Sequence, residues 1–248
     1  MVRLSRKGIN PPKKFTDQVA AKLPKSYASK AAAFEKLPLN GAKRRAGFAA
    51  YAPDALPTSK GKPQFPALWG TTKDVIGAMT NGHCAYCQLV VFGGQPGDVE
   101  HFRPKSLFPT QAYVVGNYLL GCRTCNQTKS NKWPVGRLTY VRPDAEDPAR
   151  YFEFLDDGSI QGVKKGKRAE ATILDFGLDR AWLKSHRKSE IARALASLKA
   201  LFSTGLAPSK MCAVARTLLR EDLAPMSAAV NQCVLREWNV LNPGTLLR

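Results

Sequence analysis

Three stretches of this 248-residue chain decide its reading: HCAYCQ (residues 83–88), DVEHFRPKS (98–106) and GNYLLGCRTCNQTKSNKW (116–133). They carry two Cys-x-x-Cys knuckles, Cys84/Cys87 and Cys122/Cys125, with 34 residues between Cys87 and Cys122. Two such pairs can converge on one tetrahedral Zn2+ at about 2.3 Å per sulfur. In a chain of this length the pattern points to metal ligation in a reducing cytoplasm rather than to disulfides. Four protein ligands leave no open position for water or substrate, so this zinc is expected to be structural. Cys212 and Cys233 lie far away among apolar residues at helical spacing and read as small buried hydrophobes.

Between the knuckles stand Asp98, Glu100 and His101, Asn117 opens the stretch before Cys122, and Asn126 follows Cys125 directly. A lone histidine is more often a satisfied core or surface side chain than a functional one. Here a carboxylate adjoins it and two carboxamides stand near in sequence. A neutral imidazole can take a proton from water near pH 7, which suits a general base. A side-chain or backbone carbonyl receiving its other N–H would fix tautomer and aim, and Asn117 is a candidate orienter. Glu100 and Asn126 offer hard oxygen ligands of the kind Mg2+ or Mn2+ takes while keeping waters and a phosphate oxygen. Asp98 would help behind these ligands or as one of them. Arg103, Lys105, Lys129 and Lys132 flank the site and are candidates for holding nucleic-acid phosphates, each equally open to being a solvated surface charge. His83 reads as a neighbour of the zinc site, His186 as exposed, and Phe102 and Trp133 as packing residues.

The charge balance supports a polyanionic partner. Lys and Arg number 38 against 19 Asp and Glu, a net +19, most of it upstream of residue 81. Such an excess favours nucleic acid, or an anionic membrane surface, over a neutral partner. No run of 18 apolar residues exists to span a membrane, and the N-terminus lacks the apolar core of a secretory signal, so a cytoplasmic protein is expected. Residues 1–15 read as a flexible basic arm broken by Pro11 and Pro12. Apolar spacing near four over residues 15–37 predicts a helix split by Pro24. Four prolines make residues 52–67 a connector, and Thr71 or Thr72 caps a short helix ending at Asn81–Gly82. DVEHFRPK and NYLLGC read as short strands, residues 103–116 as an irregular loop, and CNQTKSNKW as a helix start ended or bent by Pro134. After Asp144, YFEFLDDGSI predicts half a hairpin turning at Asp157–Gly158. Asp179 is expected to cap a helix with Ile191, Leu195, Leu198 and Phe202 on one stripe. Two more helices are expected over 209–223 and 225–241.

At the knuckles and the Glu100–His101 pair, the sequence resembles the HNH nuclease superfamily. That resemblance implies an α+β fold, with a zinc-stapled ββα-metal core in a treble-clef frame embedded in a mostly helical protein. It makes His101 the general base, Asn117 the middle asparagine, Asn126 the third motif position, and Glu100 the metal-binding carboxylate before the base. The nine-residue step from Asn117 to Asn126 fits the pattern. YVRPDAEDPARYFEFLDDGSI (140–160) and ATILDFGLDRAWLKSHR (171–187) extend the match to HNH proteins of Septu-type and retron-associated anti-phage systems, over about residues 75–190. Gln88 departs from a common Glu and Gly116 from a common Trp. The chain is expected to divide into three parts: a basic arm with a helical segment (1–70), the zinc-bound nuclease core (71–140), and a hairpin plus helical region (141–248). The resemblance also implies DNA as substrate and a partner ATPase, for which the C-terminal helices are the expected docking surface.

Two rivals use the same residues. A non-catalytic zinc module binding nucleic acid or a partner protein explains the cysteines and the charge, but leaves Glu100, His101, Asn117 and Asn126 as coincidence. An RNase or tRNase would need the same parts, so RNA stays open as a substrate.

Overall fold

Little of the described chain is strand, and one of its three strand pairs carries residues of the cleft. The computed structural model describes residues 1, 3–91, 97–136, 138–219, 226–242 and 247. The first helical segment is divided around Pro24 into α1 (Lys13–Lys22) and α2 (Tyr27–Glu35), as the apolar spacing predicts. Its inward positions Phe15, Tyr27, Ala31 and Phe34 are buried. Helices α3 (Ala42–Ala46) and α4 (Phe48–Tyr51) meet at Gly47, whose φ of +90° a side chain would resist. The proline-rich connector forms a small ribbon, β1 (Thr58–Ser59) with β2 (Lys62–Pro63), before α5 (Lys73–Met79).

The expected threonine cap of α5 is absent. A 3-10 turn (Leu68–Thr72) runs straight into the helix, so the Thr72 hydroxyl donates back to the Trp69 carbonyl at 2.7 Å. Asn81 and Gly82 end α5 in the left-handed region, with the Gly82 N–H on the Gly77 carbonyl at 3.0 Å.

Strand β3 (Gly97–His101) pairs antiparallel with β4 (Tyr118–Cys122), matching Glu100 to Leu119 and His101 to Tyr118. Helix α6 (Arg123–Lys129) follows β4 directly and stops at Ser130, well before Pro134. A second ribbon, β5 (Phe152–Phe154) with β6 (Ile160–Gly162), completes the predicted hairpin. Helices α7 (Lys167–Phe176), α8 (Ala181–Phe202), α9 (Pro208–Arg216) and α10 (Ser227–Leu241) follow. Of the helix ends expected within 209–223 and 225–241, residues 220–225 lie outside the described residues. Ile191 and Leu198 of the predicted α8 stripe are buried, while Leu195 and Phe202 pack half-buried beside them. Asp179 does not cap α8. Its Oδ1 accepts the Ile160 N–H at 3.1 Å and pairs with Arg187 at 3.3 Å, tying the hairpin to the helix instead.

The cysteine region and residues 141–248 share one apolar core, where Phe176 of α7 lies 4.0 Å from Tyr86 and 5.1 Å from Tyr140, ring centre to centre. A smaller cluster around Phe34 and Phe48 joins α2 to α4, and Tyr113 packs against both clusters. The N-terminal residues are docked rather than free. Leu4 is buried with its N–H on the Pro143 carbonyl at 2.7 Å, and Arg6 pairs with the buried Asp144 and reaches the Val115 carbonyl at 3.1 Å. The expected free arm is absent here because Arg6 satisfies a buried carboxylate that Arg142 also holds. Among the described residues no helix is long and apolar enough to cross a membrane.

Gly158 makes the hairpin's seat on α8 possible. Its φ is +81°, and a Cβ there would lie 2.2 Å from the Lys184 carbonyl and 2.6 Å from the Lys188 nitrogen, both backbone. Its own carbonyl accepts the buried Arg187 Nε at 2.7 Å. Gly158→Ala is therefore expected to lower urea-unfolding stability by about 2–4 kcal/mol, combining left-handed strain with a backbone clash. A loss below about 0.5 kcal/mol would show that the hairpin lifts off α8 at no cost.

Candidate active site

The four-cysteine frame is assembled from a turn and a helix start. The turn after α5 carries Cys84 and Cys87 and is tied to β4 by the Ala85 N–H on the Leu120 carbonyl at 2.8 Å. Cys122 ends β4 and accepts the Cys125 N–H on its sulfur at 3.4 Å, capping α6. All four cysteines are buried, and their Sγ atoms lie within 4.8 Å of one another. Cys87 and Cys122 sulfurs stand 3.7 Å apart. That distance is far beyond the ~2.05 Å of a disulfide. It matches the ~3.8 Å edge of a tetrahedron with ~2.3 Å zinc–sulfur bonds. The residues fit a zinc ion. Arg180 places a guanidinium nitrogen 3.7 Å from the Cys125 sulfur, which offsets the negative charge that four thiolates would carry. Gln88, adjoining the second cysteine, donates to Ser227 at 2.8 Å and so joins the knuckle to α10.

The β3–β4 pair presents the candidate chemistry. His101 is 7 % exposed, its ring edge-on to Trp69 at 4.7 Å and Tyr118 at 4.9 Å. Its Nε2 lies 3.0 Å from the Ala112 carbonyl, which also accepts the Tyr118 hydroxyl at 2.6 Å. A carbonyl only accepts, so Nε2 carries the proton and Nδ1 keeps its lone pair. Among the described residues Nδ1 has no hydrogen-bond partner, and it is not sealed from solvent. Burial, reinforced by the nearby Lys105 ammonium, pushes the imidazole down to about 3 against the opposing pull of the Ala112 carbonyl. His101 is thus neutral and single-tautomer at pH 7.

Glu100 is 1 % exposed. Its Oε2 accepts the Tyr86 hydroxyl at 2.6 Å and its Oε1 pairs with the Lys129 ammonium at 2.5 Å. Lys129 also donates to the His101 carbonyl at 2.7 Å. Glu100 and Asn126 flank Gly121, where an added Cβ would meet the Glu100 Cβ at 3.2 Å and the Asn126 Cβ at 3.7 Å. A carboxylate and a carboxamide are hard oxygen donors of the kind a divalent ion takes, and both Glu100 oxygens are engaged here by Tyr86 and Lys129. A cleft of about 320 Å³ opens here, lined by Glu100, His101, Lys105, Asn126 and Asn131 among others.

The other sequence candidates divide. Asn117 is buried and does not line the cleft. Its side chain accepts the Arg103 N–H at 2.9 Å and donates to the Arg103 carbonyl at 3.0 Å and the Gln111 carbonyl at 3.1 Å. It clips the loop that leads to Ala112, whose carbonyl rather than Asn117 touches the imidazole. Lys105 lines the cleft with its ammonium 4.8 Å from the Trp69 ring, and burial lowers its pKa, with Lys129 adding to the effect. Lys129 was expected at a phosphate. It is instead 1 % exposed, because α7 lays Phe176 over it and Glu100 neutralises it. Arg103 is exposed beside the Phe108 ring, and Lys132 stands 3.8 Å from Asp175, so neither lines the cleft. Asp98 is exposed and outside the cleft lining. His83 sits with Nδ1 3.3 Å from the Thr80 carbonyl, and His186 stacks on Trp182 at 5.6 Å. Phe102 and Trp133 pack edge-on at 5.6 Å, as packing residues do.

The loop opposite β3 is braced from the N-terminal helices. Tyr27 donates to the Pro109 carbonyl, Glu35 accepts the Thr110 N–H at 2.7 Å, and Arg44 donates to the Leu107 carbonyl at 2.8 Å. Ala112, Tyr118, Tyr86 and Trp69 went unnoticed in the sequence. A backbone carbonyl leaves no residue-type signal, and the three aromatic residues read as ordinary core.

No protein-family model matches the chain. It is 25% identical to the Septu protein PtuB of Bacillus mycoides (strain KBAB4), with 57% of this chain and 57% of the relative covered. It is 27% identical to a protein assigned as the HNH endonuclease of Retron Vc95 in Vibrio cholerae serotype O1 biovar El Tor, with 55% of this chain and 71% of the relative covered. The chain thus spans little more than half the length of the Septu relative. The resemblance to Septu-type and retron-associated HNH proteins is borne out: this chain is their homologue, at modest identity over about half its length, which supports an HNH nuclease of defence systems.

Proposed function

We propose that this chain is a metal-dependent HNH endonuclease that hydrolyses DNA phosphodiester bonds as the effector of an anti-phage system. The observation that carries this reading is His101, held by Nε2 on a backbone carbonyl and lining one cleft with the Glu100 carboxylate and the Asn126 carboxamide. A zinc module serving only for binding has no use for a histidine held in one tautomer at a cleft that also holds a carboxylate and a carboxamide. Nδ1 of His101 accepts the proton of the attacking water, and the Ala112 carbonyl holds the resulting imidazolium in place through Nε2. Glu100 and Asn126 would hold the divalent ion. When bound, such an ion neutralises the phosphate and the leaving 3′-oxygen. Lys105 meets a phosphate oxygen at the cleft edge. Asn117 acts at one remove, keeping the loop to Ala112 closed. The frame for all of this is the structural zinc on the four cysteines, and the β3–β4–α6 order supports the ββα-metal, treble-clef reading. The basic surface gives sequence-independent affinity for the backbone that weakens with salt. The Septu likeness supports a partner ATPase that restrains or directs the nuclease, docked on the C-terminal helices.

Supercoiled plasmid and a labelled RNA, incubated in parallel with Mg2+, Mn2+ or EDTA, test the proposal. Plasmid nicking with either metal and none with EDTA is expected. Preferential cutting of the RNA would overturn the choice of DNA, and no cutting of either with the partner ATPase present would overturn the nuclease.

A further inference from the structure

One wall of the cleft comes from outside the family motif, and it carries an aromatic ring. Phe65, in the connector just after β2, lines the cleft with His101, Lys105, Asn126, Gln127 and Asn131. It stands upstream of every stretch that bears the HNH resemblance. The ring is half-buried and its seat is fixed. Phe48 meets it at 6.1 Å and Tyr113 at 6.5 Å, ring centre to centre. The Tyr113 hydroxyl donates to the Pro66 carbonyl at 3.1 Å, holding the backbone beside it. The Phe48 N–H bonds the Ser106 carbonyl at 2.9 Å, next to Lys105, and Tyr113 follows Ala112, whose carbonyl holds the imidazole. Ring, lysine and histidine thus belong to one braced unit.

Phe34 and Phe48 of the same aromatic cluster are fully buried, whereas Phe65 keeps part of its ring at the cleft. Apolar surface left against water forgoes hydrophobic stabilisation, which a stacked base would recover. Every nucleobase has a π face on which such a ring can stack. Inside a duplex those faces are taken by neighbouring base pairs, and only the edges are open in the grooves. A base must therefore leave the stack to meet Phe65. The size of the cleft agrees, since about 320 Å³ lies at the lower end of small-ligand sites and suits one nucleotide rather than a base-paired segment. Gln127 and Asn131 offer carboxamides, which both donate and accept, for the edge of such a base.

We propose that Phe65 stacks on one unpaired base beside the phosphate met by Lys105, so that the nuclease selects DNA with a nucleotide out of the duplex over fully paired DNA. This rests on the nuclease reading above and names its substrate class. Negative supercoiling favours strand separation, so plasmid nicking is compatible with this selection.

The test uses the full zinc-loaded chain without added Mg2+ or Mn2+, so that the strands stay whole. Its affinity is measured for a DNA duplex in which a single 2-aminopurine is either paired or unpaired, at one salt concentration. Binding of the unpaired form about tenfold tighter is expected, the usual worth of one stacked base, with quenching of the 2-aminopurine fluorescence as the ring covers it. Phe65→Leu keeps an apolar side chain against Phe48 and removes the flat face. It is expected to lose both the preference and the quenching, while Phe65→Tyr keeps both. Equal affinity for the two duplexes, or no quenching, in the Phe65 chain overturns the inference and leaves the nuclease reading standing, because plasmid nicking reads that separately. Preference and quenching retained in Phe65→Leu overturn the role of Phe65. If Phe65→Leu fails to retain zinc, the preference and quenching measured in the Phe65 and Phe65→Tyr chains decide by themselves. No binding of either duplex overturns the inference together with the DNA-binding part of the nuclease reading.

Discussion

His101→Ala in the zinc-loaded chain is expected to lower metal-dependent plasmid nicking by about 10²–10⁴-fold, the usual worth of a positioned general base. Zinc content should stay unchanged, because the imidazole touches Ala112, Trp69 and Tyr118 and no cysteine. Equal cutting by both proteins would remove His101 from the chemistry. The pH dependence gives an independent check. With its folded-state value near 3, the imidazole is already neutral at pH 6.5, so the acid limb of the rate profile due to the base lies below that pH. A half-loss of rate at about pH 6.5, the ordinary histidine value, would contradict the buried, neutral base.

The same shift predicts a stability effect whose sign is fixed. Between pH 6.5 and 3 the unfolded chain binds a proton at His101 that the folded chain refuses. The folded-state pKa is depressed below the unfolded one, so this group's contribution is intact above about 6.5 and is lost as pH falls toward 3. The full loss amounts to up to about 5 kcal/mol. Urea unfolding of wild type and His101→Ala at pH 7 and pH 5 measures it: the acid-induced loss should be smaller in the variant.

Removing the zinc is expected to cost more than any substitution in the cleft. Structural zinc on four thiolates contributes about 10 kcal/mol or more to folding. That is comparable to the total stability of a typical domain. The knuckles also hold the start of α6 and the end of β4, so Asn126, Gly121 and Lys129 lose their positions with the metal. Cys125→Ser, or treatment with a strong chelator, should abolish the cooperative thermal transition and any nuclease activity, and elemental analysis should drop from one zinc per chain to none. A chelated chain that melts as before would mean that the four thiols do not staple this fold.

Lys129 shows most plainly where reading the sequence stops. Its place after Cys125 and Asn126, in a basic stretch, is the pattern of a phosphate-binding lysine. Its burial comes from Glu100 on another strand and Phe176 on a helix about fifty residues on, neither of which local sequence reveals. The caps failed for a similar reason. Thr72 and Asp179 have capping chemistry, but a preceding 3-10 turn and the neighbouring hairpin gave their side chains other partners. The N-terminal segment carries the residues of a solvated arm, and only a buried Asp144 across the fold turns Arg6 into a fastening.

What the sequence determined by itself is what short-range chemistry can write down. Cysteines with two residues between them offer a metal two ligands from one knuckle, apolar spacing sets α1, α2 and α8, and Asp157–Gly158 turns the hairpin. Tertiary structure decided what depends on partners far along the chain: which nitrogen of His101 holds the proton, which oxygens of Glu100 are occupied, and which lysine meets the cleft. Those are properties of burial and charge pairing, and a side chain acquires them only when distant segments close over it.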